Sequence, residues 1–165
     1  MTVEEIERAF REHRTRVDAI FASGDWAPYA DEFTAEATYR RTGHPEVVGR
    51  EAIRTWVVTQ MARFPADQIA ALDVVWHVVD PEHRSVVYEM RSTMRDPGDG
   101  SVHSASTTTS LGYAGDGLWA WGVDVHSPRA YEELWRSWSE AARRCGTLEL
   151  PVPLSPDSRI SVRRS

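Results

Sequence analysis

The chain has 165 residues, 41% of them hydrophobic, and a formal charge of −6 from 25 acidic and 19 basic residues. These values suit one domain with a packed core, and the acidic balance argues against nucleic-acid partners. Every base is arginine, which leaves no lysine for Schiff-base chemistry, and the single Cys145 excludes an internal disulfide or a cysteine zinc cluster.

The chain opens on a capping box, Thr2 with Glu5, so a first helix is expected at once. Val3, Ile6, Phe10, His13, Val17, Ile20 and Phe21 recur at spacings of three and four and form its apolar stripe. This acidic amphipathic start is not a signal-peptide pattern, and no apolar run is long enough to cross a membrane. A cytoplasmic location is therefore expected. Ser23-Gly24-Asp25 stops the helix, and Asp25 should cap a short second one with Trp26, Tyr29, Ala30 and Phe33 on its inner side. Thr38–Arg41 reads as a short strand. Gly49–Phe64 reads as a helix that Pro65 ends.

Beyond this point the period changes from 3.6 to 2. Three strands are expected at 68–79, 84–95 and 102–113, separated by Asp80-Pro81 and Asp96-Pro97-Gly98 turns, with a fourth from Leu118. Ser127-Pro128 begins a last helix, whose stripe is Tyr131, Leu134, Trp135, Trp138, Ala142 and Cys145, and Gly146 stops it. Residues 1–146 thus form one domain. Residues 147–165, with three prolines and terminal arginines, form a tail that reads as a flexible end or as an arm across a partner. Helices ahead of an antiparallel meander indicate an α+β fold, a curved sheet wrapped over helices as a cone.

The last strand carries the chemistry. Strict alternation puts Trp119, Trp121, Val123 and Val125 on one face, and Leu118, Ala120, Gly122, Asp124 and His126 on the other. Small residues beside a carboxylate and an imidazole are how a pocket reads in sequence. The same face also fits an overlying element with Asp124 and His126 wetted at the strand end. The tryptophan face is too apolar to leave in water, which favours a partner, as in a homodimer through the outer face of the sheet, or an overlying helix.

The segments Gly24-Asp25-Trp26, Phe33–Tyr39 and Gly49-Arg50-Glu51-Ala52-Ile53, and the Asp116-Gly117 turn leading to Asp124, together resemble the SnoaL-like branch of the nuclear transport factor 2-like superfamily. That resemblance implies a conical α+β barrel with a deep pocket. It also implies relatives among polyketide cyclases, ketosteroid isomerases, scytalone dehydratases and limonene-epoxide hydrolases, besides members that only bind. Asp124 is similar to the last-strand acid of the hydrolases and cyclases. The hydrolases' arginine-x-aspartate is absent, and Glu89-x-Arg91 stands in the comparable stretch, which speaks against epoxide hydrolysis.

The candidate catalytic residues are Asp124 as general acid or base, assisted by His126, Tyr39, Glu89 or Arg91. The candidate ligand-binding residues are Trp121, Trp76, His77, His103 and Tyr29, with a small hydrophobic, cyclic metabolite as the expected ligand. No cofactor or metal is expected, because no helical two-histidine motif or cysteine pair sets a coordination geometry. A non-catalytic binding or dimerisation module is the competing reading.

Overall fold

Thr2 starts the fold as its sequence requires. In the computed structural model, which describes residues 2–148, its hydroxyl accepts the Glu5 amide at 3.2 Å. The helix so capped, α1, runs Val3–Ser23 and is closed by Gly24, whose φ of 74° a side chain would resist. The Asp25 carboxylate then accepts the Ala27 amide at 3.0 Å, but the segment it opens, Ala27–Glu32, is 3₁₀. Helix α2 spans Arg50–Met61, shorter than expected, with Gly49 at its start. Helix α3 spans Pro128–Cys145 between the Ser127 cap and Gly146. No helix among the described residues is long and apolar enough to cross a membrane. The expected tail lies outside the described residues from position 149 onward.

The strands are β1 (Phe33–Arg41), β2 (Val47–Val48), β3 (Ile69–Asp80), β4 (Ser85–Met94), β5 (Ser104–Gly115) and β6 (Leu118–His126). They form one sheet in the order β2-β1-β6-β5-β4-β3. The meander β3 to β6 is antiparallel throughout, whereas β1 lies parallel to β6, so the sheet is mixed. The two-residue β2 is too short to leave a periodic signal.

Strand β6 departs from its expected alternation. Gly112 pairs with Trp121 and Tyr113 with Trp119, so Ala120 is an extra residue in the ladder. This bulge turns the strand over. Trp119 therefore faces inward with Gly122 and Asp124 and is fully buried, while Trp121, Val123 and Val125 stay on the convex side. The expected single face of Trp119, Trp121, Val123 and Val125 is thus corrected. Two glycines make room for the rings that result. Trp121 lies over Gly112 on the outside, and Tyr39 lies over its β1–β6 partner Gly122 on the inside.

The core fills the space between α1 and the concave sheet face. Ile6, Phe10 and Ile20 of α1 meet Val86, Leu111 and Trp119 of the strands, all buried. Each such side chain contributes about 1.5–3 kcal/mol by leaving water. Helix α3 builds a second cluster, in which Tyr131, Leu134 and Trp138 pack on Met94. Trp138 Nε1 also donates to the Arg95 carbonyl at 2.7 Å. Cys145, expected on the inner stripe, is exposed at the end of this helix.

Gly122 has an ordinary φ, so adding a methyl there tests sterics alone: it would run into the Tyr39 ring. Gly122→Ala is expected to destabilise the fold by about 1–3 kcal/mol through overpacking. A lower urea midpoint with an unchanged m-value is the outcome to look for.

Candidate functional site

The concave side of the sheet encloses a cavity of about 110 Å³. Strands contribute Tyr39 and Arg41 from β1, Tyr88 and Met90 from β4, Thr107 and Thr109 from β5, and Asp124 from β6. The helical side contributes His13, Arg14 and Val17 from α1, and Trp56 and Val57 from α2, with Trp26 and Tyr29 beside them. Tyr131 and Trp135 of α3 complete the wall. The inward direction of each strand residue follows from register: Thr109 pairs with Asp124, and Arg41 pairs with Asp124 from the other side.

Asp124 is 8% exposed and accepts one strong hydrogen bond, from the Thr109 hydroxyl at 2.7 Å. Burial pushes its carboxyl up from the ordinary range, and the Thr109 hydroxyl and the nearby Arg41 charge only partly oppose this. Three tyrosines surround it. Tyr29 and Tyr39 hydroxyls stand 3.4 Å apart. Burial first, and then the neighbouring Asp124 charge, raises Tyr39 and Tyr88; burial and the Tyr88 and Asp124 charges raise Tyr29. All three stay protonated and can donate hydrogen bonds. Arg41 lines the same wall, and its buried Nε has no partner among the described residues. The arrangement is a nearly apolar chamber with one basic-leaning carboxylate and several neutral donors, which suits proton transfer at a bound carbon or oxygen.

His126 follows on the inward register but at the rim. Its ring packs edge-on against Tyr131 at 4.9 Å, and burial and the Arg41 charge lower its pKa. It stands outside the residues that line the cavity. Of the ten residues anticipated, Asp124, Tyr39 and Tyr29 are brought together in the chamber.

The others go elsewhere for identifiable reasons. Glu89 pairs in register with Thr108 and Trp76, which places it on the convex face. There it accepts from Trp76 Nε1 at 2.7 Å and Ser106 Oγ at 2.6 Å. Arg91, two positions on, is exposed on the same face. The expectation of a Glu89/Arg91 pair inside the cone is corrected accordingly. Trp76, 44% exposed, and Trp121 are also convex-side residues and cannot stack on anything in the cone. His77 is taken by α1, where its Nε2 meets Glu7 Oε1 at 2.7 Å and its ring packs 4.9 Å from Phe10. His103 lies beneath α3, bonded to Ser137 at 3.0 Å and Ser101 at 2.9 Å. Among the described residues no group of three or more His, Cys, Asp or Glu is arranged to hold a metal.

A buried histidine–glutamate pair also escaped the sequence reading. His13, counted in the apolar stripe of α1, is 1% exposed, and its Nδ1 lies 3.0 Å from Glu32 Oε2. Glu32 is itself buried and is held by the Arg16 guanidinium at both oxygens. Burial would raise the Glu32 carboxyl, but the His13 and Arg16 hydrogen bonds outweigh it and hold the group low. The available signal was a histidine on a helix stripe and an acid nineteen residues later at the end of a short helix. Spacing of that kind does not announce a contact.

Residues 2–121 match the SnoaL-like domain family, and the chain belongs to it. The matched segment ends at Trp121, short of Asp124. The fold is shared with an epoxide hydrolase of the LEH-like type from M. tuberculosis, at TM-score 0.61 and 12% identity over 90% of this chain and 96% of that one. It is shared too with an NTF2-like protein from Anabaena variabilis, at TM-score 0.59 and 19% identity over 77% and 94%. TerC co-crystallised with polyporic acid aligns at TM-score 0.57 and 12% identity over 80% and 98%. At such identities the likeness is one of fold. No curated protein matches the sequence.

The raised Asp124 carboxyl has a consequence for stability. Its folded pKa lies above the unfolded value, so its contribution is most favourable at low pH and falls as pH rises through the unfolded and then the folded pKa. Asp124→Asn removes the buried charge and leaves an oxygen for Thr109. It is expected to raise the thermal midpoint at neutral pH, with an advantage that shrinks as pH falls toward the ordinary carboxylate range. Calorimetry across that range reads the effect.

Proposed function

We propose that the cavity binds a small, hydrophobic, cyclic metabolite and that Asp124 exchanges a proton with it, in an isomerisation, dehydration or cyclisation without a cofactor. The observation that carries this reading is the placement of Asp124: a buried carboxylate on the cavity wall whose partners are the neutral Thr109 and Tyr39 hydroxyls, with no paired cation within 4 Å among the described residues. Structural acids are normally neutralised more fully than this. Tyr39, Tyr29 and Tyr88 donate to charge that develops on a ligand oxygen, and Trp56, Trp26 and Trp135 supply flat apolar walls. Native mass spectrometry of freshly purified protein is expected to reveal a retained ligand. With that compound as substrate, Asp124→Asn should lower kcat by about 100-fold or more, the usual contribution of a general base. Unchanged turnover removes Asp124 from the mechanism.

A non-catalytic binding role is the second reading. The chamber, at about 110 Å³, is smaller than the about 300–1,000 Å³ typical of pockets for drug-sized ligands, so either role is confined to a small ligand.

The convex face supports a homodimer in either case. Val78, Val87 and Val123 run across it in register with Ser110, and Val78 and Val125 are 59% and 57% exposed. The exposed, unpaired Cys145 suits a reducing, cytoplasmic location. Sedimentation is expected to give a dimer that Val78→Glu converts to a monomer; a wild-type monomer would remove this interface.

A further inference from the structure

His13 is buried within a stripe of apolar residues, and an ordinary core histidine has both ring nitrogens satisfied. Here Nδ1 is taken by Glu32 at 3.0 Å, while Nε2 has no protein partner among the described residues, and the ring lines the cavity. Glu32 can only accept, because its hydrogen bonds from His13 and Arg16 keep it ionised. It therefore fixes the proton on Nδ1 and leaves the lone pair on Nε2. Burial lowers the His13 pKa, so the ring is neutral and the lone pair is free. Arg16, itself part-exposed, closes the arrangement from outside by gripping both Glu32 oxygens. Glu32 in turn holds the imidazole plane, as does the Trp119 ring edge-on at 5.6 Å.

We propose that His13, oriented by Glu32, is a hydrogen-bond acceptor for the ligand, so that the cavity selects small cyclic compounds bearing a phenolic or enolic hydroxyl. This rests on the reading of the cavity as a ligand site. The chemistry of the walls narrows the choice of donor. An ammonium would have to shed its water on entering an apolar chamber, whereas a hydroxyl arrives neutral. An acidic hydroxyl donates the stronger bond, and its ring packs against Tyr29, whose centroid is 6.1 Å from that of His13. His13 approaches from α1 and Asp124 from β6, so the ligand meets one acceptor from the helical side and a proton-exchanging carboxylate from the sheet. His13 is thus a ligand-contacting residue, and Glu32 is a positioning residue that acts through it.

The test compares 4-nitrophenol with 4-nitrotoluene, which differ in a hydroxyl against a methyl. At a mildly acidic pH free 4-nitrophenol is neutral, and its absorption moves to the red when the hydroxyl bonds to a base. Wild-type protein is expected to bind 4-nitrophenol about tenfold more tightly than 4-nitrotoluene, the worth of one good hydrogen bond, and to show the red shift. His13→Leu should keep 4-nitrotoluene binding and lose both the preference and the shift. Glu32→Gln strands no buried charge, since Arg16 is solvated. It should keep the fold and reduce the shift, so it carries the test if His13→Leu does not fold. Equal binding of the two probes by wild type overturns the proposal while leaving the ligand site standing. So does an undiminished preference and shift in the variants. Binding of neither probe removes the ligand-site reading and this inference with it.

Discussion

A single extra residue, Ala120, governs the geometry of this domain. Without it β6 would alternate strictly, and Trp119 and Asp124 would point to opposite sides of the sheet. With it, the largest core side chain and the buried carboxylate share the concave face. Trp119 packs under α1 against His13 and Tyr113, while Asp124 reaches the cavity on the same strand. The bulge also sends Trp121 outward onto Gly112, where its bulk belongs to the convex surface. Trp119 in the core and Asp124 in the chamber therefore share the concave face through one local irregularity, of the kind that re-aims side chains in curved sheets.

Two buried acids show how differently a fold can treat a carboxylate. Glu32 lies between a histidine and an arginine, and its desolvation is offset by charge-assisted hydrogen bonds. Asp124 has a threonine hydroxyl and a more distant arginine, and its desolvation is not fully offset. The first arrangement keeps a group charged and fixed. The second leaves a carboxyl whose pKa burial holds above the ordinary range. The aromatic lining amplifies the contrast, since Tyr29, Tyr39 and Trp56 keep the local dielectric low around Asp124.

The helices were legible because their signals are local. Thr2 with Glu5, Ser127 with Pro128, and the closing glycines Gly24 and Gly146 each act within one turn of chain. The four-strand meander was legible for the same reason, through Asp-Pro and Gly-rich turns. The short β2 and the parallel placement of β1 beside β6 were not, because pairing across the chain leaves no periodic trace. At the site, Asp124 and Tyr39 could be anticipated from their strand positions, and Tyr29 from the inner side of the short helix after Asp25. Glu89, Arg91 and Trp76 were misdirected because alternation says that two faces differ and not which one is concave. His77 and His103 were claimed by helices that approach from elsewhere.

The sequence by itself determined the element order, the helix ends, the α+β class and the presence of an ionisable group on a thinned strand face. Those properties depend on capping, periodicity and turn chemistry, which act over a few residues. Only the tertiary structure decided which face of the sheet is enclosed. It likewise decided that Asp124 is buried with so little compensation, and that His13 and Glu32 meet. Each of these rests on curvature, register and contacts between segments far apart in the chain, where burial and desolvation, rather than local propensity, set the energy.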